Sequence, residues 1–132
     1  MSFRIQGIIN AFEVASGTAA SREIGQLVRI TNAGKATTGT GEGDKLFFPV
    51  TEKLDHTADK VVGAQVTGVA KVYVETAAGI TAGSRVSIGA TFLGVRQEQA
   101  NPAFILGIAL ATPSGDGDYI PVLLQPSIDE IV

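Results

Sequence analysis

The sequence predicts an all-β protein that forms a single compact β-barrel or β-sandwich. Apolar and polar residues alternate in several short segments, and a period of two is the signature of half-buried strands. Many of the 16 glycines lie between these segments and mark tight turns. Helical periodicity is confined to one or two short turns, so the pattern favours a barrel or a sandwich over a helical fold.

The N-terminal segment, residues 1–16, is apolar on both of its faces. Its large apolar side chains include Phe3, Ile5, Ile8, Ile9 and Phe12. A free tail would be polar, so these side chains require a cover. We expect the segment either to form the first strand of the domain or to extend as an arm that adds to the edge of a partner's sheet.

Four internal segments show the alternation of a half-buried strand. They are residues 28–31, 69–75, 85–88 and 119–125. In the third segment Val86 and Ile88 are predicted to face the core, with Arg85 and Ser87 outward. Pro121 lies inside the last segment, and because proline cannot donate to a sheet ladder, it argues for a free edge on that strand.

Residues 51–62 are the one place where helical spacing is visible. Leu54, Ala58, Val61 and Val62 would share one helical face, which predicts at most one or two helical turns. A weak internal echo also exists, because residues 25–30 and 83–88 each place a glycine just before a strand. We interpret this echo as two similar corners rather than as a repeat architecture, since stacked repeats need three or more units.

Two further segments are candidates for contact with other chains. Residues 103–111 are apolar on both faces, so we expect this strand to be covered on both sides, either by the fold or by a neighbouring subunit. The tail, residues 127–132, continues past the last predicted strand. The apolar residues singled out in these two segments are Phe104, Leu106, Ile128 and Ile131.

Composition limits the classes of function. The 132 residues carry a net charge of −3 and no cysteine, so there is no disulfide framework or thiolate metal site. The basic residues are spread without clustering, which argues against nucleic acid as a partner. No apolar run reaches the ~20 residues of a membrane span, and the N-terminus does not read as a secretory signal.

Three segments invite a chemical interpretation, and none completes its motif. The glycine-rich loop 39–45 lacks the spacing of a phosphate-binding loop. His56 lies between Asp55 and Asp59, but it is the sole imidazole, and the group lacks a second nitrogen or sulfur ligand for a metal. Residues 116–118 resemble part of a calcium loop without its final glutamate. We predict no catalytic residue, no metal site and no cofactor.

The strand and glycine punctuation of residues 25–124 resembles the capsid decoration (cement) proteins of tailed bacteriophages, the small β-rich type encoded beside the major capsid protein. The segments that carry the resemblance are Gly25-Gln-Leu-Val-Arg-Ile30, Val66-Thr-Gly-Val-Ala-Lys-Val72, Ile80-Thr-Ala-Gly-Ser-Arg-Val86 and Leu106-Gly-Ile-Ala-Leu-Ala111. Residues 1–16 and the acidic insertion 39–60 fit the family pattern less well.

The resemblance implies a homotrimer that is made in the host cytoplasm and attaches to the exterior of the mature capsid. There it would stabilise the shell by bridging subunits of the major capsid protein, because several modest contacts act together in a symmetric oligomer. The apolar residues of the N-terminal segment, of residues 103–111 and of the tail are the candidate contacts. The alternative is a soluble β module that binds carbohydrate or another small molecule, although Tyr73 and Tyr119 are its only tyrosines and tryptophan is absent.

Overall fold

The structure, a computed structural model, describes residues 7–38, 46–98 and 103–129. Within these ranges the chain is all-β and has no helix, which confirms the predicted fold class. The strands are β1 Ile9–Glu13, β2 Leu27–Ile30, β3 Ala36–Thr37, β4 Phe47–Pro49, β5 Val61–Gln65, β6 Val69–Tyr73, β7 Arg85–Ile88, β8 Val95–Gln97, β9 Ala103–Ala109 and β10 Tyr119–Asp129. They form three antiparallel sheets in a sandwich-like arrangement. The described part of the chain includes no helix with the length and hydropathy of a membrane span.

Strands β1 to β5 form the first half of the fold, residues 9–65. β2 pairs with β3 and β4, and β1 pairs with β5. Two isolated bridges join these sheets, one between Val50 and Ala64 and a parallel one between Val14 and Ala36. The strands therefore lie in the order β3-β2-β4-β5-β1, and both ends of the row meet. The core inside consists of Val28, Ile30, Ala36, Val50, Leu54, Val62 and Ala64.

Strands β6 to β10 form the second half, residues 69–129. They make one five-stranded sheet in the order β8-β7-β9-β10-β6. A parallel bridge between Val74 and Val95 brings the two outer strands of this sheet together. The second half encloses the larger core, to which Ala70, Val72, Val74, Ile80, Val86, Ile88, Val95, Leu106, Ala109, Ile120, Val122 and Leu124 contribute.

The two halves have the same strand order when β1 to β5 are matched with β6 to β10. Backbone hydrogen bonds at corresponding corners match as well. The N–H of Gly25 donates to the carbonyl oxygen of Val50 at 3.0 Å, and the N–H of Gly83 donates to that of Ala109 at 2.7 Å. The chain is therefore built from one five-stranded unit used twice. This overturns our interpretation of the internal echo as two similar corners, because the two glycines open the second strand of each repeated half.

The halves meet where the Gly25 corner of the first lies against β6 of the second. The N–H of Tyr73 donates to the carbonyl oxygen of Gly25 at 2.9 Å, and the N–H of Leu27 donates to that of Leu93 at 2.9 Å. A Cβ at Gly25 would lie 2.9 Å from the carbonyl oxygen of Lys71, and the φ of 88° also favours glycine. The junction therefore requires glycine at this corner.

Two side chains of the first half cross the junction and complete the core of the second. Leu27 and Phe47 are buried in the second half's apolar cluster. The ring of Phe47 stacks on Phe92 and lies tilted against Phe104, with centroids 5.8 Å apart in both pairs. Burying a leucine or phenylalanine side chain contributes about 1.5–3 kcal/mol, so the two halves stabilise each other.

Phe92 is the only non-glycine residue with a positive φ among the described residues, at 63°. It occupies the turn between β7 and β8, where its N–H donates to the carbonyl oxygen of Gly89. In the matching turn of the first half, Gly34 has a φ of 77° and donates to Thr31. The second half thus keeps a glycine conformation while placing an aromatic ring where Phe47 can stack on it.

The alternating segments formed strands with the predicted inner faces. Residues 69–75 contain β6, and Ala70, Val72 and Val74 are all buried. Residues 119–125 lie in β10, and its inward side chains are likewise buried. Local alternation was sufficient here because each strand has one core face and one outer face.

The predicted outward position of Ser87 is wrong, because this side chain is buried. The register between β7 and β9 shifts between Val86 and Ser87, and the Ser87 hydroxyl donates to the carbonyl oxygen of Gln97 at 3.2 Å. The expected free edge at Pro121 is also wrong, since β10 lies between β6 and β9. On the β9 side Pro121 lies opposite Leu110, which is just past the end of β9. The N–H that proline lacks is therefore not needed for the ladder between β9 and β10.

The predicted helical turns at residues 51–62 are not a helix. Leu54 forms a β-bridge with Arg22, and Val61 starts β5. A single turn remains, in which the N–H of Asp59 donates to the carbonyl oxygen of Asp55 at 2.8 Å. Pairing with a distant strand outweighed the weak local helical pattern, because the bridge buries Leu54 in the first core.

Phe92→Gly should destabilise the protein less than Phe92→Ala does. Both variants lose the ring that packs on Phe47, at a cost of about 2 kcal/mol for a half-buried aromatic side chain. Glycine, however, relieves the positive φ, which costs other residues roughly 1 kcal/mol. Urea unfolding of the two variants measures the difference.

Gly34→Ala is the matched control in the first half. Nothing lies within 4 Å of a Cβ at Gly34, so alanine should cost only the backbone contribution of about 1 kcal/mol. If Phe92→Ala proves as stable as Phe92→Gly, the turn is not strained as described.

Candidate interaction surface

The acidic group around His56 is a structured turn. The Asp55 carboxylate accepts hydrogen bonds from the hydroxyl of Thr57 at 2.7 Å and from its N–H at 3.0 Å. These bonds lower the pKa of Asp55 below its ordinary value. The Asp59 carboxylate accepts a bond from the N–H of Asp55 at 2.7 Å. Both carboxylates therefore bind backbone at the start of β5.

The imidazole of His56 contacts a residue that the sequence did not indicate. Its Nδ1 lies 2.9 Å from the hydroxyl oxygen of Ser21. The two residues are brought together by the bridge between Arg22 and Leu54, which aligns their neighbouring segments. No local motif signals such a pair, because its members are far apart in the chain and meet only in the fold.

Residues 114–118 form the corresponding turn before β10. The Asp118 carboxylate accepts hydrogen bonds from the N–H of Ser114 at 2.9 Å and of Tyr119 at 2.8 Å, and these bonds lower its pKa. Asp116 accepts a bond from the N–H of Ala77 at 2.8 Å. Both acids of the apparent calcium-loop fragment hold the turn. Across the described residues no group of three or more potential metal ligands occurs. The glycine-rich loop 39–45 lies outside the described residues.

Arg22 is a buried charge that ties the first half together. Its Nε donates to the carbonyl oxygen of Leu27 at 2.8 Å, and its guanidinium nitrogens donate to those of Ser21 at 3.1 Å and Thr38 at 3.5 Å. Burial lowers the pKa of the guanidinium, yet an arginine remains charged in proteins. The side chain serves as a cross-link between the Gly25 corner and the end of β3.

The predicted contact residues have different locations. Ile8 and Ile9 are 58% and 59% exposed, whereas Phe12 is half-buried and stacks on Phe48 at 6.4 Å. Leu106 is fully buried in the larger core, with Phe104 packed against it. Both were candidate contacts on the grounds of an apolar strand. The full burial of Leu106 corrects that assignment for this side chain, whereas Phe104 is half-buried and its role in contacts stays a prediction. Phe3, Ile5 and Ile131 lie outside the described residues, and Ile128 is described only as a backbone position in β10.

Residues 9–13 form a strand of this chain's own fold, because β1 pairs along its length with β5. For residues 9–13, the prediction of a first strand of the domain is therefore confirmed over the prediction of an arm. The prediction for residues 1–6 falls outside the described part of the chain.

Large apolar side chains are exposed both at β1 and beside the junction between the halves. We call these positions the isoleucine surface and define it by Ile8, Ile9 and Ile24, all more than half exposed. Gln65 connects its parts, because it lies opposite Ile9 and also lines a groove of about 220 Å³ with Ile24. The sequence analysis missed Ile24, since a single apolar residue before a glycine corner shows no periodicity.

A second groove lies on the outer face of the second half. It has a volume of about 380 Å³. It is lined by Arg85, Ile105, Gly107, Ile108, Gln125 and Pro126. The corresponding outer face of the first half carries Leu27 and Phe47, and it is buried against the second half at the junction. The groove is thus the matching face of the second half.

Comparison with protein-family models, with curated proteins and with solved structures yields no match for this chain.

Asp118→Asn should lower stability at neutral pH, and its effect should shrink as the pH falls below about 4, the ordinary pKa of an aspartate. The pKa of Asp118 is lower in the folded than in the unfolded protein. Its carboxylate therefore stabilises the fold above the unfolded pKa of about 4, and this stabilisation is lost as the pH falls through the folded pKa. Thermal unfolding between pH 7 and pH 3 measures the difference between the variant and the wild type.

Ser114→Ala is a companion variant, because it removes only the hydroxyl that donates to Asp118 at 3.1 Å and keeps the backbone bonds. It should reduce the same pH dependence partially. A stability difference between wild type and Asp118→Asn that does not change with pH would show that the carboxylate's charge is not what holds the turn.

Proposed function

We propose that this chain is a structural virion protein that attaches to the outer surface of a mature phage capsid and stabilises it by bridging subunits of the major capsid protein. The observation that carries the proposal is the isoleucine surface. Its three isoleucines are 58–59% exposed, Ile24 lines a shallow groove together with Gln65, and exposed apolar side chains beside a groove are typical of protein contacts. The resemblance in strand and glycine order supports the capsid as the partner.

The arrangement of the acidic residues also supports an interaction role. Asp55, Asp59, Asp116 and Asp118 use their carboxylates to hold the turns before β5 and β10. Their sequence positions, which invited chemical interpretations, are explained by the fold. A charge-poor, slightly acidic exterior suits a protein that must not bind nucleic acid.

The alternative of a carbohydrate-binding module is less well supported. Tyr73 and Tyr119, the two tyrosines of the chain, pack edge to face with centroids 5.5 Å apart. Because the two rings pack on each other, they offer a sugar less exposed flat aromatic surface on which to stack. The proposal therefore commits to a protein partner.

The proposal predicts that the purified protein binds expanded heads assembled from the major capsid protein encoded beside it, and does not bind the unexpanded precursor shell. Ile9→Ser and Ile24→Ser should each weaken binding about tenfold, because an exposed isoleucine that becomes buried contributes on the order of 1–2 kcal/mol. Co-sedimentation with heads over a range of protein concentrations measures the affinity.

Leu110→Ser is the matched control, because Leu110 is also a large exposed side chain but lies outside the isoleucine surface. It should bind heads as the wild type does. A wild-type protein that fails to sediment with expanded heads overturns the capsid assignment. Equal losses in all three variants would refute the isoleucine surface as the site of attachment.

A further inference from the structure

The repeated halves differ in what lies against their first strand. In each half, alternate residues of that strand bond to the fifth strand. The N–H of Val14 donates to Lys60, and the N–H of Val74 donates to Asp118, both at 2.8 Å. The residue just before each therefore directs its N–H to the opposite edge. In the second half this residue is Tyr73, whose N–H is taken by Gly25 of the first half.

The corresponding residue of the first half is Glu13. Its equivalence follows from the register, because Glu13 lies opposite Val61 in β5 as Tyr73 lies opposite Tyr119 in β10. Along Ile9–Glu13 the paired strand of β1 is β5, and β3 meets β1 only at its end, through the bridge between Val14 and Ala36. The N–H of Glu13 is therefore directed to the outer edge of β1, where the described residues supply no backbone acceptor for it. The edge at Glu13 in the first half is thus equivalent to the edge at Tyr73 in the second half, which is bonded to Gly25.

The corner that would fill this edge also exists in the chain. Gly83 corresponds to Gly25, and its backbone bonds to Ala109 repeat those of Gly25 to Val50. Gly25 is buried at the junction, where a Cβ would meet Lys71, but nothing lies within 4 Å of a Cβ at Gly83. The Gly83 corner is therefore a second junction corner, and none of the described residues lies against it.

Each of the two unfilled positions carries one basic and one acidic side chain. Arg85 corresponds to Leu27, since they lie opposite Ile108 and Pro49 in the same register. The charged groups on the two sides are Arg85 with Glu98, 3.4 Å apart, and Lys35 with Glu13, 3.7 Å apart. Exposed ion pairs of this kind contribute little to stability, so they can exchange partners across an interface.

An apolar contact would accompany the charges. At the junction within the chain, Phe47 of the first half packs against Phe104 of the second. The register matches Phe47 with Ile105, which makes Leu46 the counterpart of Phe104. Leu46 is 47% exposed, and the groove beside Arg85 and Ile108 offers an apolar surface to cover it.

We propose that the chain associates with a second copy of itself by repeating its own internal junction. The Gly83 corner and Arg85 of one copy dock on the β1 edge at Glu13 of the next. Because donor and acceptor surfaces are different, the contact is heterologous and builds a ring, or a filament if the rotation does not close. A ring of three copies would contain six such junctions. The inference concerns the protein alone and does not depend on its attachment to a capsid.

Charge reversal tests this contact with the full-length protein in the absence of other components. Glu13→Arg and Arg85→Glu should each weaken self-association about tenfold or more, because each places like charges across the interface. The double variant, which exchanges the two charges, should restore association to within about threefold of the wild type. Sedimentation velocity over a range of protein concentrations measures the assembly.

Lys53→Glu is the control, since Lys53 forms an exposed pair with Glu23 at 3.6 Å away from both surfaces; its association should equal that of the wild type. Thermal unfolding at low concentration verifies that each variant is folded. A wild-type protein that remains monomeric at about 100 µM, well above the Kd range of stable assemblies, overturns the proposal. Assembly that neither single variant weakens, or that the double variant fails to restore, also overturns it.

Discussion

The hydrogen bond from Tyr73 to Gly25, with Leu27 and Phe47 buried beside it, is the contact on which the rest of the molecule depends. Each half is a curled sheet, and the second half depends on the first for the partner of the Tyr73 N–H and for part of its core. At the junction the first half closes the edge of the second and fills its core with two side chains. Only glycine fits at this corner, because the carbonyl oxygen of Lys71 and the ring of Tyr119 lie so close.

Several parts of this fold could be predicted from local pattern, and others could not. The alternation in residues 69–75 was sufficient to identify β6 and its inner face. In a strand with one core face, alternate residues are apolar, so the sequence itself shows which side chains point inward. The short strands β3, β4 and β8 could not be predicted in this way, since two or three residues are too few to show a period of two. The position of Ser87 was mispredicted because a register shift on the neighbouring strand is not visible in its own segment.

In the sequence, the repeat was indicated only by Gly25 and Gly83, the two glycines that precede β2 and β7. Equivalent positions carry different side chains, such as Leu27 and Arg85 or Gly34 and Phe92, because Leu27 and Phe92 pack at the junction within the chain, whereas Arg85 and Gly34 do not. The candidate surface was predicted in part: Ile8 and Ile9 were named, but Ile24 and Leu46 are single apolar residues without a pattern. The acidic groups that suggested chemistry serve the turns, which explains their short sequence spacing.

A repeated unit can present the same surface twice, once within the chain and once for another chain. One copy of the unit's junction stabilises the chain, and the same junction is presented again at Glu13 and Gly83. The most direct measurement is hydrogen exchange at the backbone amides of Glu13 and Tyr73 as the protein concentration rises. Protection of Tyr73 at every concentration, with protection of Glu13 appearing only as the protein associates, is the expected result. Fast exchange at Glu13 in the associated protein would contradict the account.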